Sequence, residues 1–523
     1  MYHILVSDPM SEEGLLPLLE NNEVNIVKRH VDEEAELEKF DALLVRSGTT
    51  VTEEIIKKMP NLKIIARAGV GVDNIDIEAA TKNGVVVVNA PDGNTISTCE
   101  HTFAMIASLA RNIPQATKSI KDGKWNRKAF LGVELNGKTL GIVGFGRIGS
   151  ELAKRARSFN MSLLVFDPFL TKERAEKSGV TLASLDEVLE QSDIITVHTP
   201  LTKETKGLLG FENIKKTKPG VLLINCARGG IIDEEALLHY LKEGHVAGAA
   251  LDVFVTEPPA DHPLLELDNV IATPHIAAST KEAQLNVASQ VSEEVLQFLQ
   301  GKPIKNSINL PTLSKELYQK IAPYYELTKK MGSILSQCMQ KPVQEIDLSY
   351  AGEITELETS FITRSLLAGF LKPRVDTGVN EVNAPTIAKE RGISYGEKHT
   401  SNTQGYSNIV EAVAIGEDSS FNLSATYVKE YGPRIVNING FDIDFNPQGN
   451  LLYIQHFDKP GVIGRVGQIL GEHEVNIATM QVGRKEAGGE AIMMLTFDDT
   501  LGEELVSALK NIDDIVSVKK IEL

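Results

Sequence analysis

Three separate stretches of this 523-residue chain carry the side chains that oxidation of a 2-hydroxy acid needs. Asn225-Cys226-Ala227-Arg228-Gly229-Gly230 offers a guanidinium, Leu251-Asp252-Val253-Phe254-Val255-Thr256-Glu257 a carboxylate, and Thr273-Pro274-His275-Ile276-Ala277 an imidazole. A guanidinium clamps a carboxylate through two parallel hydrogen bonds. An imidazole takes the hydroxyl proton as the carbon is oxidised. A carboxylate on the other ring nitrogen fixes the tautomer and raises the proton affinity of the ring. Arg228, Glu257 and His275 are therefore the candidate catalytic residues. Singly, each also suits a structural role; their value lies in occurring together, each on a loop after a predicted strand. Cys226 has no partnered base beside it and reads as a small buried strand-end residue, not a nucleophile.

Upstream, Gly144-Phe145-Gly146-Arg147-Ile148-Gly149 has the spacing of a dinucleotide-binding turn. Gly144 permits the tight turn, Gly146 lets the backbone approach a pyrophosphate, and Gly149 allows close packing of helix on strand. The spacing alone is common. Here an apolar strand, Leu140–Val143, leads into it, a helix over 150–159 follows, and Asp167 ends the next strand. The helix N-terminus supplies free N–H groups to phosphates. Asp167 would accept two ribose hydroxyls and repel a 2′-phosphate, so the expected cofactor is NAD, not NADP.

These groups need a scaffold, and the hydrophobic pattern supplies one. Apolar runs at 4–6, 42–45, 63–66 and 85–88 alternate with amphipathic stretches and predict buried parallel strands. A long helix is expected over 98–116. The alternation restarts at Lys138, with strands at 140–143, 162–166, 194–197, 221–224 and 248–251 as one second sheet. A helix over 281–299 ends at Gly301-Lys302-Pro303. Residues 312–340 read as helical and 341–445 as mixed. The last 74 residues read strand, helix, strand, strand, helix, strand, the ferredoxin-like order.

At roughly 100–200 residues per domain, the length implies about three or four domains. Hydrophobic content of 42% with 24% charged residues is that of a folded chain. A net charge of −18 argues against nucleic acid or an anionic membrane as the main partner. Three cysteines, Cys99, Cys226 and Cys338, are too few for a disulfide framework and fit a reducing compartment. With no basic leader and no run of 18 apolar residues, the expectation is a cytoplasmic protein. No metal site is expected.

With these residues in hand, the chain resembles the D-isomer-specific 2-hydroxyacid dehydrogenases, in their long form. The matching stretches include Arg46-Ser47-Gly48-Thr49, Arg67-Ala68-Gly69-Val70-Gly71-Val72-Asp73-Asn74-Ile75, Asn89 to Thr95, and Trp125 to Gly149. The resemblance implies an α/β fold of two doubly wound parallel-sheet domains, a flavodoxin-like substrate domain and a Rossmann NAD domain. It adds an α+β intervening domain and a ferredoxin-like βαββαβ ACT domain. The implied bounds are 1–97 with 282–310 for the substrate domain and 98–281 for the NAD domain. The intervening domain takes 311–446 and the ACT domain 450–523, with the active site in the cleft between the first two. It implies an NAD site lined by Arg147, Ile148, Asp167, Thr199, Cys226, Ala227, Arg228, Asp252 and His275. Ala277 is a departure, since relatives often carry glycine there.

A phosphorylated substrate needs cationic or amide groups for its second anionic end, and Arg46, Ser47, Arg67 and Asn94 are candidates. Arg127 and Lys128, beside Trp125, would reach the site from a neighbouring subunit. The resemblance implies 3-phosphoglycerate as substrate, a homo-oligomer (dimer or tetramer), and L-serine as effector at His456, Asp458 and Asn476. There Asp458 would pair with an amino group and Asn476 with a carboxylate across a dimer interface. The alternatives are a related dehydrogenase acting on glycerate, lactate or 2-oxoglutarate, and a dinucleotide-sensing corepressor.

Overall fold

The computed structural model describes residues 1–339, 341–376, 378–498 and 500–523. Its first sheet has five parallel strands in the order Val24–Lys28, Tyr2–Val6, Ala42–Val45, Ile64–Arg67 and Val86–Asn89. The second has seven, ordered Val270–Ala272, Val246–Leu251, Val221–Asn225, Ile194–Val197, Thr139–Val143, Ser162–Phe166 and Thr181–Leu182. The central strands Ala42–Val45, Ile194–Val197 and Val221–Asn225 are buried along their whole length, as parallel strands covered on both faces must be. In the second sheet the order reverses between Thr139–Val143 and Ile194–Val197. Ligands of such sheets bind at this switch point, beyond the carboxyl ends of the strands.

The first sheet is completed from far along the chain. Helix Lys281–Leu299 buries Val287, Val291, Val295 and Leu299 against it. The chain then returns to the edge strand, where Ile308 N donates to Val87 O (2.8 Å) and Asn309 Oδ1 accepts from Val87 N (2.9 Å). Glu294 fixes this return by accepting from Lys305 N (3.0 Å) and Asn306 Nδ2 (2.9 Å).

The third sheet has six strands, from Val343–Gly352 to Phe441–Phe445, antiparallel except where Ser394–Thr400 runs parallel to Val343–Gly352. Helices Lys315–Cys338 and Thr359–Leu371 pack on it. The fourth sheet is antiparallel, in the order Ile477–Arg484, Glu490–Phe497, Asn450–Phe457, Ile515–Glu522. Helices Val462–Glu472 and Glu503–Lys510 cover one face of it. Its other face, with Leu451, Tyr453, Ile492, Met494 and Ile521, shares a single core with the third unit. Among the described residues, no helix is long and apolar enough to cross a membrane.

Four local expectations need correction. The helix expected over 98–116 is two helices, Thr95–Ala110 and Ile113–Lys121. They break at Asn112, whose φ of 52° no continuous helix can hold, and Pro114 starts the second. The strands Val24–Lys28, Thr181–Leu182 and Val270–Ala272 went unread because each lies at or near a sheet edge, short or half exposed. The helix after the glycine turn begins at Arg147, not at 150. Asn476 lies just ahead of strand Ile477–Arg484, not within it.

Glu294 makes the joint to the first sheet testable. Burial raises its carboxyl above the usual range, and the bonds from Lys305 and Asn306 pull it back only in part. Its folded pKa therefore exceeds the unfolded one. Its contribution to stability is whole below the unfolded value and is lost as pH rises through the folded value. Glu294→Gln should flatten the decline of stability with rising pH just above the carboxylate range. Glu294→Ala should lower stability by about 1–3 kcal/mol. Denaturant unfolding from pH 4 to 8 checks both; superimposable profiles would contradict this account of the joint.

Candidate active site

The carboxyl ends of the first two sheets face each other, and two ion pairs join them. Arg147 Nε meets Asp92 Oδ1 at 2.5 Å, and Arg228 Nε meets Asp73 Oδ2 at 3.0 Å. The candidate residues sit on the loops that line this junction.

On the side of the second sheet, the glycine turn is built as a cradle. Gly144 has φ +97°, and a Cβ there would stand 2.7 Å from His198 O. A Cβ on Gly149 would collide with Gly144 O, so the helix lies directly on the strand. Gly146, by contrast, has nothing within 4 Å of an added Cβ. The open space lies at the N-terminus of the 12-residue helix Arg147–Ser158. Asp167 is anchored by Phe145 N (2.7 Å) and Phe169 N (2.8 Å), one on each oxygen, and each oxygen keeps a lone pair for a further donor. Across the turn, the buried Thr199 Oγ1 has no partner among the described residues. Burial lowers His198 to about 4, so it is neutral. An open helix N-terminus, an anchored acid and an orphaned hydroxyl fit a dinucleotide. Ile148 packs on the core beneath.

Cys226 is buried, and burial pushes its thiol up to about 12, so it stays protonated and inert as a nucleophile. Ala227 N donates to Asn225 Oδ1 (3.0 Å), and Ala227 O accepts from Arg228 Nη1 (2.7 Å). This tight turn presents Arg228 at the strand end.

Glu257 and His275 are brought together: His275 Nδ1 and Glu257 Oε2 lie 2.8 Å apart, while Glu257 Oε1 accepts from Phe254 N (3.1 Å). His275 Nε2 has no partner among the described residues, and the ring is half exposed. The loop is unusual in backbone as well, since His275 takes φ +51°. Asp252 holds it there. Its Oδ1 accepts from Thr273 Oγ1 (2.6 Å) and Ile276 N (2.9 Å), its Oδ2 from Ala277 N (2.9 Å), and His101 Nε2 lies 3.3 Å away. Burial works to raise this carboxyl, but these donors outweigh it and keep it below the usual range. Asp252 is fully buried, with both oxygens hydrogen-bonded. It supports the His275 loop from behind. Ala277 is buried and uses its N–H in this network; its methyl is accommodated.

On the side of the first sheet, Asn74 Nδ2 donates to Arg46 O and Thr49 O (both 2.6 Å), and Asp8 accepts from Thr49 N and Thr49 Oγ1. These bonds shape the loop that carries Arg46 and the exposed Ser47. Arg67 is largely buried, and burial together with nearby Arg228 lowers it to about 10, still cationic at neutral pH. Its Nε and the Asn94 Oδ1 are buried without partners among the described residues. Arg127 and Lys128 are fully exposed on a short 3-10 turn, and no bond joins them to this loop.

In the fourth unit, His456 is buried with Nδ1 on Phe457 O (2.8 Å), and its Nε2 is unpartnered among the described residues. Asp458 is engaged by Arg484 Nη1 (2.8 Å), and that hydrogen bond holds its carboxyl below the usual range. Asn476 is exposed. Sequence reasoning missed Asp73, Asp92, Asn74 and His101. Asp73 and Asn74 left a signal, within Gly71-Val72-Asp73-Asn74, and Asp92 left one within the stretch Asn89 to Thr95; His101 left none.

Family models match three segments: the D-isomer specific 2-hydroxyacid dehydrogenase NAD binding domain over 103–277, the D-3-phosphoglycerate dehydrogenase intervening domain over 320–439, and the ACT domain over 451–514. The chain is 63% identical to D-3-phosphoglycerate dehydrogenase of Bacillus subtilis, over all of both chains. It is 46% identical to the enzyme of that name from Methanocaldococcus jannaschii, again over all of both. Among solved structures, NAD-dependent formate dehydrogenase of Staphylococcus aureus in complex with NAD is 30% identical. The match covers 60% of this chain and 100% of that one, with TM-score 0.53. D-lactate dehydrogenase of Aquifex aeolicus, complexed with NAD and lactic acid, is 33% identical over 57% and 96%, with TM-score 0.51. The chain belongs to the D-3-phosphoglycerate dehydrogenases of the D-isomer-specific 2-hydroxyacid dehydrogenase family, and its cofactor is NAD.

Proposed function

We propose that this enzyme oxidises 3-phospho-D-glycerate to 3-phosphohydroxypyruvate, the opening step of L-serine synthesis, with His275 as base. The His275–Glu257 pair at 2.8 Å carries this reading. With Nδ1 engaged by a carboxylate, Nε2 is the free nitrogen that takes the C2 hydroxyl proton. Glu257 stabilises the imidazolium that results. NAD, bound through Gly144, Gly146, Arg147, Gly149, Asp167 and Thr199, supplies the acceptor for the hydride leaving C2. Arg228 clamps the substrate carboxylate, and Arg46, Ser47, Arg67 and Asn94 hold the phosphate end. Lactate has no second anion to occupy Arg46 and Arg67, which favours the phosphorylated acid.

We assign the substrate domain to 1–97 with 282–310, the NAD domain to 98–281, the intervening domain to 311–446 and the ACT domain to 450–523. The enzyme is a cytoplasmic homo-oligomer in this reading. L-Serine is its effector at the ACT domain, through His456, Asp458 and Asn476. Arg484 occupies Asp458 in this structure, so an amino acid's ammonium would have to replace it.

His275→Ala should lower kcat by about 10²–10⁴ with the NAD dissociation constant unchanged. Glu257→Gln should shift the acidic limb of the pH–rate profile, because the ring loses a neighbouring charge. Wild-type turnover in the first variant, or an unmoved profile in the second, would remove the residue from its role. Asp167→Ala should narrow the ratio of kcat/KM for NAD over NADP. A parent enzyme that uses both equally well would mean Asp167 does not face the ribose. Calorimetry should detect L-serine binding that Asp458→Ala/Asn476→Ala abolishes, with a coupling to activity of about 1–3 kcal/mol. No heat at millimolar serine would leave the ACT domain as an assembly element.

A further inference from the structure

Arg228 belongs to a loop of the second sheet, yet what touches its guanidinium is largely the first. Its Nε donates to Asp73 Oδ2 at 3.0 Å. The group also lies against Gly71, where an added Cβ would overlap Arg228 Nη2 and stand 2.8 Å from Asp73 Oδ2. The seat is itself fixed. Asn74, next in the chain, spends its amide on Arg46 O and Thr49 O, and its carbonyl accepts from Val51 N (2.8 Å). Ile75 N closes the turn on Val72 O (3.0 Å).

A guanidinium has five N–H donors. Asp73 takes the one on Nε and Ala227 O takes one on Nη1. Of the three that remain, one is on Nη1 and two are on Nη2. With Nε taken, the Nη1–Nη2 edge, which presents one N–H from each, is the end-on geometry left for gripping a carboxylate with two parallel bonds. We propose that Asp73, with the bare backbone of Gly71 beside it, is a positioning residue for Arg228. It grips Nε from the opposite domain and turns the Nη edge towards the substrate carboxylate. The proposal rests on the assignment of Arg228 to that carboxylate.

Two further observations favour positioning over a structural role. Asp73 is three-quarters exposed, and exposed ion pairs contribute little to folding. The grip also reaches from one domain to the other, as does the Arg147–Asp92 pair.

The test is steady-state kinetics with 3-phosphoglycerate on Asp73→Ala, Asp73→Asn, Gly71→Ala, Arg228→Ala and the Asp73→Ala/Arg228→Ala pair, beside NAD binding and thermal melting. Gly71→Ala is chosen because only the side chains of Arg228 and Asp73, and no backbone, stand closest in its way, so the fold survives while the guanidinium is pushed off its seat. Asp73→Ala and Gly71→Ala should each raise KM about tenfold. Changes in kcat should stay within a few-fold, and NAD affinity and melting temperature should be unchanged. Asp73→Asn, which keeps an acceptor, should fall between wild type and alanine. In the Arg228→Ala background, Asp73→Ala should add nothing. A KM that is unchanged or lowered by Asp73→Ala, or effects that add in the double variant, would overturn the proposal while leaving Arg228 as the clamp. Wild-type kcat/KM in Arg228→Ala would overturn the clamp, and the positioning with it.

Discussion

The buried carboxylate of Asp252 is the constraint on which the arrangement turns. It stands at the end of strand Val246–Leu251 and gathers one hydroxyl and two backbone N–H groups from residues 273–277. A carboxylate with no solvent must be satisfied in this way or be neutralised. Satisfying it fixes the loop. The loop in turn holds His275 at a positive φ, which few residues adopt without support, and sets the ring 2.8 Å from Glu257. The same loop launches helix Lys281–Leu299, which crosses back to close the first sheet. One buried charge therefore ties together His275, Glu257 and the return of the chain to the first sheet.

Around that fixed point the cleft is organised by charge. Arg46, Arg67 and Arg228 concentrate cations at the carboxyl ends of the strands, and in this structure carboxylates lie among them. Asp8 shapes the Arg46 loop, while Asp73 and Asp92 reach arginines of the opposite domain. The desolvated Arg67, lowered to about 10, shows that burying such a group costs proton affinity without neutralising it. An anionic substrate completes the balance. Far from the cleft, the last two units depend on each other differently. One face of the fourth sheet is buried in the core of the third unit, so these units meet through packed side chains and not through a solvated hinge.

Much of this was legible in the chain. Long apolar runs marked the inner parallel strands, because strands covered on both faces need no alternation. The glycine spacing, with a strand before and an acid after, located the switch point. Arg228, Glu257 and His275 stood out because each follows a strand. What stayed hidden was pairing at long range. Nothing in the sequence joins Arg228 to Asp73, 155 residues away, or marks the partner of Arg147. Asp252 stood in a legible motif, but its bonds to the 273–277 loop depend on burial and backbone geometry, which residue type does not reveal. The break at Asn112 is set by a single left-handed residue, which helical periodicity passes over. Edge strands as short as Thr181–Leu182 have too few residues to show a period.

The central claim is that the Glu257-oriented ring of His275 takes the substrate proton while Arg228 holds the carboxylate. A crystal structure of the dead-end complex with NADH and 3-phosphoglycerate tests it most directly. The account predicts the C2 hydroxyl within hydrogen-bond distance of His275 Nε2, Glu257 still on Nδ1, and the substrate carboxylate across the Nη edge of Arg228. A C2 hydroxyl seated on another side chain, or a His275 ring turned away from Glu257, would contradict it.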